Sequence, residues 1–101
     1  VADKKGDFSN HRQIFIEKGG DRLDRLQRFL ESENPEKAQK EVQWVHDMAV
    51  HVGASRLKIR ATLLRGKIEM KNWDGAASAL KSLSGEFWRA HEELQASENK
   101  K

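Results

Sequence analysis

The chain contains no cysteine. Disulfides, thiolate metal centres and cysteine nucleophiles are therefore excluded, and the absence accords with a reducing compartment. No apolar run approaches the ~20 residues that a membrane-spanning helix needs. The opening residues Val1-Ala2-Asp3-Lys4-Lys5 lack the apolar core of a secretory leader. A cytoplasmic chain with no membrane partner is the resulting expectation. Apolar alternation nowhere persists over a convincing run, so no strand is predicted. There is no glycine-rich phosphate loop, no HExxH helix and no internal repeat. Net charge is only +3, which by itself does not call for a nucleic-acid partner.

What is present is enough for one domain. The 101 residues are 37% hydrophobic and 35% charged. That composition suits helices, because a narrow apolar stripe on each is sufficient to build a core. Residues 1–8 are polar and read as a flexible segment, residues 9–95 as the domain, and residues 96–101 as a flexible tail.

Four helical stretches fill the domain. The first runs from about Asn10 to Glu31, with Ile16, Gly19, Leu23, Leu26 and Leu30 on one face and Phe15 and Phe29 flanking it. Gly19-Gly20 interrupts it, since each glycine costs about 0.8–1 kcal/mol against alanine inside a helix. A kink, a restart at Asp21, or a close approach by a neighbouring helix would each account for the pair. Asn34 and Pro35, the only proline, then form a cap and first helical position. The second helix carries Ala38, Val42, Val45, Ala49 and Val52 and stops at Gly53.

Ser55 is the expected cap of the third helix, whose stripe is Leu57, Ala61, Leu64 and Ile68. Its polar side holds Arg56, Lys58, Arg60, Arg65, Lys67 and Lys71 against Glu69 alone. Asp74 is the expected cap of the fourth helix, which aligns Ala76, Leu80, Leu83, Phe87, Ala90 and Leu94. Four amphipathic helices joined by short turns predict an all-α, antiparallel up-down four-helix bundle, monomeric by default.

The chemistry-bearing residues lie on the second helix, away from its core stripe. Gln43, His46, Asp47 and Val50 stand at i, i+3, i+4 and i+7 and share one face, with Trp44 and His51 beside it. The segment from Gln43 to Leu57 resembles the signature of histidine-phosphotransfer domains. That family reads His-x-Leu-Lys-Gly-x-Ala-x-x-x-Gly-Ala, with a further Leu three residues on. Val45 takes the Leu position, Ala49 the small-residue position, Gly53-Ala54 the Gly-Ala pair and Leu57 the final Leu. Phe15-Ile16-Glu17 and Asn72-Trp73-Asp74 match the family's Phe-rich helix and its turn before the last helix. The likeness covers roughly residues 12–95.

The same alignment places Gln43 where the family carries its phosphorylated histidine, His46 at the Lys position and Asp47 at the neighbouring Gly position. Glutamine has no basic nitrogen lone pair and cannot accept a phosphoryl group as the imidazole does. Asp47 adds negative charge one turn from the acceptor position. An engineered block would have kept the Lys and Gly, so a natural pseudo-domain is indicated.

The resemblance therefore implies a non-catalytic interaction module in phosphorelay signalling. It would bind a receiver domain or a histidine kinase through Gln43, Trp44, His46, Asp47 and Val50, without enzymatic activity, cofactor or metal. The alternatives are a working phosphotransfer protein using His46 or His51, an unrelated helical adaptor, and a nucleic-acid binder using the third helix. Outside the family, Gln43 is an ordinary solvated residue, and His46-Asp47 matches only the first two residues of a metal phosphohydrolase signature. Asp47 and His51 at i, i+4 have the spacing of a metal-ligand pair.

Overall fold

The computed structural model describes the backbone of residues 2–99 and the side chains of residues 11–96. It contains four helices and, among the described residues, no strand: α1 (Ala2–Glu31), α2 (Pro35–Val52), α3 (Ser55–Glu69) and α4 (Trp73–Asn99). They pack in a ring, α1 on α2, α2 on α3, α3 on α4, and α4 back on α1. Helical backbone begins at Ala2, well before the Asn10 start read from apolar spacing. Residues 2–9 are too polar for periodicity to reveal a helix there. The flexible character expected of Val1 and of residues 100–101 falls outside the described residues.

All three connections use one device. Glu33, Gly53 and Lys71 adopt left-handed backbone, with φ of 53°, 77° and 55°. Each donates its N–H to the carbonyl three residues back, Leu30, Val50 and Ile68, and the next residue donates five back, to Phe29, Ala49 and Lys67. This paired closure satisfies carbonyls that a helix end would otherwise leave bare. The residue after the left-handed one then begins the next helix. Asn34 Oδ1 accepts from Lys37 N at 3.1 Å, and Asn72 Oδ1 accepts from Gly75 N at 3.0 Å. Two expected caps are thereby corrected. Ala54, without a side-chain bond, occupies the α3 cap in place of Ser55. Asn72 caps α4, and Asp74 sits in its first turn, where its charge favours the helix dipole.

The core follows the stripes with one shift of phase. Leu57, Ala61, Leu64 and Ile68 of α3 and Ala76, Leu80, Leu83 and Phe87 of α4 are all buried. In α1, Phe15 is fully buried while Ile16 is only half-buried. Phe15, Gly19 and Leu23 form an unbroken i, i+4, i+8 ladder, and Ile16 lies to its side.

Gly19-Gly20 neither kinks nor restarts α1, which runs through both. A Cβ at Gly19 would overlap the Phe87 ring, lying 2.6 Å from Cε1. The absent side chain lets α4 set Phe87 directly on the α1 backbone. Phe87 packs on Phe15 at 4.8 Å with the rings tilted by 30°, and edge-on at 4.8 Å to Trp88. His91 Nε2 donates to the Ile16 carbonyl at 3.0 Å, which fixes the ring tautomer because a carbonyl only accepts.

Candidate functional site: the outer face of α2

α2 is held by an Asn34 cap at one end and the left-handed Gly53 at the other. Ala38, Val42, Val45, Met48 and Ala49 point into the core, so the opposite face must meet solvent. There Gln43, Asp47 and Val50 are exposed, and His46 and Trp44 are half-buried beside them. The five residues singled out from the sequence are thus brought onto one surface.

Their side chains are organised around Asp47. Gln43 Nε2 donates to Asp47 Oδ1 at 2.9 Å. His46 Nδ1 faces the same oxygen at 3.4 Å. The Gln43 amide is thus occupied by an internal bond, and the Asp47 carboxylate lies against it. Nothing on Gln43 can attack phosphorus. Among the described residues, His46 Nε2 has no hydrogen-bond partner.

The suggested Asp47–His51 metal pair does not assemble. Asp47 turns towards Gln43 and His46. The His51 ring lies flat on His11 of α1, with centroids 4.0 Å apart and planes 5° apart. Among the described residues no cluster of three or more His, Cys, Asp or Glu side chains is placed to hold a metal ion.

Trp44 has partners that the sequence did not announce. Arg22 of α1 lies over its ring at 5.0 Å. The same guanidinium reaches the two oxygens of Glu41 at 3.2 and 3.4 Å. Glu41 is the one buried acidic residue among the described side chains. A depression of about 330 Å³ next to Trp44 is lined by Ile14, Lys18, Asp21, Arg22 and Arg25. One neighbour of the face is therefore an aromatic ring framed by α1 cations. No motif could have revealed this, because Arg22 and Glu41 stand 19 residues apart on different helices.

Arg22→Ala is expected to lower stability by about 1–3 kcal/mol, since it strands a largely buried carboxylate. Glu41→Leu, which removes that charge and keeps the volume, is expected to lose far less. Urea unfolding of the two variants tests this; an Arg22→Ala loss no larger than that of Glu41→Leu would contradict it.

The chain matches no family model, no curated protein and no solved structure. No helix among the described residues is long and apolar enough to cross a membrane.

Proposed function

We propose that this chain is a non-catalytic histidine-phosphotransfer-like module that docks on a receiver domain through the outer face of α2. The observation carrying the reading is the Gln43–Asp47 bond. It fills the acceptor position of the motif with an amide and sets a carboxylate beside it, on a solvent-facing surface that also carries Trp44 and Val50. The fold supports it. Four helices pack in a ring of sequence neighbours joined by three turns of one design, which is read here as an antiparallel up-down bundle. Such a module occupies a receiver's active-site face, offers no nitrogen to its phosphoaspartate, and so blocks or scaffolds phosphoryl flow. A monomer acting in the cytoplasm, on a receiver or on the kinase that feeds it, is the working picture.

The test is incubation with a panel of phosphorylated receiver domains, reading complex formation and phosphate transfer separately. Complex formation without transfer is expected, and Trp44→Ala should weaken the complex at least tenfold, since buried Trp dominates many interfaces. Absence of any complex across the panel would reject the reading.

A second reading has one observation in its favour. With Nδ1 of His46 turned to Asp47, Nε2 is the ring nitrogen left to act as an acceptor. A relay protein with its acceptor moved along the helix would give acid-labile phosphate that disappears in His46→Ala.

A further inference from the structure

α3 is apolar on two opposite sides. One side is the core stripe. The other holds Ile59, Leu63 and Met70, at i, i+4 and i+11, which are 58%, 52% and 67% exposed. Half of the large hydrophobic residues exposed among the described side chains thus lie on α3 and its C-cap, Met70. Arg56, Arg60 and Lys67 run along one flank of the outward stripe, and Lys58 and Arg65 stand further round the other. Residues 55–71 carry six cations against Glu69. That is +5 in a chain of net +3, so the remainder sums to −2. Glu86 of α4 lines the same cleft as Arg56, Ile59 and Arg60, and Glu86 and Glu93 line the adjoining cleft beside Arg56. Among the described residues, none of the six cations forms an ion pair within 4.0 Å.

We propose that this outward face of α3 is an attachment surface for an anionic lipid bilayer, distinct from the α2 face. Ile59, Leu63 and Met70 enter the headgroup–acyl boundary, and Arg56, Arg60 and Lys67 engage the phosphates beside them. The charge pattern is complementary to a polyanion, and the apolar stripe excludes a purely electrostatic one. Three apolar side chains on a convex helix are too few for a stable protein interface, which takes about 20–30 residues a side. They suit shallow insertion, in which a basic amphipathic face supplies the rest of the affinity. Attachment of this kind needs no spanning helix. It revises the expectation of no membrane partner drawn from the lack of a long apolar run.

The experiment is sedimentation of the full chain with vesicles of phosphatidylcholine containing phosphatidylserine, and with vesicles of phosphatidylcholine alone. Uptake is expected on the anionic vesicles only, and should fall as salt rises. Arg56→Gln with Arg60→Gln should reduce it about 25-fold, at about fivefold per cation. Ile59→Ser with Leu63→Ser should reduce it about tenfold while leaving the helical circular dichroism unchanged, because both positions are exposed. The proposal is overturned by equal uptake on the two vesicle types or uptake on neither. It is equally overturned if Ile59→Ser with Leu63→Ser binds as the parent does, which would make the contact one of charge alone with no insertion of the apolar stripe. A solution dimer that dissociates in that variant would also overturn it, by assigning the stripe to a second copy.

Discussion

Replacing Gly19 by alanine is expected to destabilise the fold by about 1–3 kcal/mol, against the usual sign for a glycine inside a helix. In an open helix position the same change stabilises by up to about 1 kcal/mol, because alanine loses less backbone freedom on folding. At Gly19 the new methyl group would collide with the Phe87 ring. The ring has no direction of retreat, since Phe15, Trp88 and His91 lie around it at centroid distances of 4.8, 4.8 and 5.9 Å. Either α1 and α4 separate, or Phe87 leaves its rotamer. Gly85, where an added Cβ meets no atom within 4 Å, is the internal control, and Gly85→Ala should raise the melting temperature. Phe87→Leu trims the ring and should relieve much of the Gly19→Ala penalty in a double-mutant cycle, giving a coupling of about 1 kcal/mol or more. A Gly19→Ala protein that melts higher than its parent would show that the helices are not held this close.

The glycine pair shows where sequence reading stops. Spacing identified the faces of α2, α3 and α4 because each apolar residue there repeats within one helix. Buried Leu57, Ala61, Leu64 and Ile68 needed nothing beyond that. Phe15 and Ile16 are adjacent and both apolar, and spacing put Ile16 on the core face with Phe15 beside it; the packing of Phe87 on Phe15 reverses that order. Close approach was one of three accounts of Gly19, and only the partner ring selects it. Glu41 looks like a solvated residue until Arg22 is brought across from α1. Left-handed Glu33 and Lys71 are equally illegible, since nothing but the fold makes a non-glycine adopt that backbone. The α2 face was readable for the same reason as the core stripes, as its members lie at helical spacing. How Asp47 divides its oxygen between Gln43 and His46 was not.

That shared oxygen sets the second large effect. Gln43→His alone is expected to give no efficient phosphoryl transfer from a phosphorylated receiver, although it supplies the family's acceptor. The introduced imidazole would stand where the Gln43 amide now meets Asp47 Oδ1 at 2.9 Å. The carboxylate would engage a ring nitrogen and oppose an incoming anion. Two unit charges ~4 Å apart interact by about 1 kcal/mol in water and about 4 kcal/mol near a protein surface. Transfer should therefore be slower by between about fivefold and about a thousandfold. His46 compounds this, since the resemblance places a permanent cation there. Gln43→His with His46→Lys and Asp47→Gly removes both obstacles and should take up acid-labile phosphate. Glycine inside α2 costs about 1 kcal/mol of helix stability, so Asp47→Ala is the companion that clears the charge without that loss. Fast labelling of the single variant would show that Asp47 does not guard the position. A folded triple variant that binds the receiver yet takes no phosphate would show that the docked α2 face does not present residue 43 to the phosphoaspartate, and the pseudo-acceptor reading of Gln43 would fall with it.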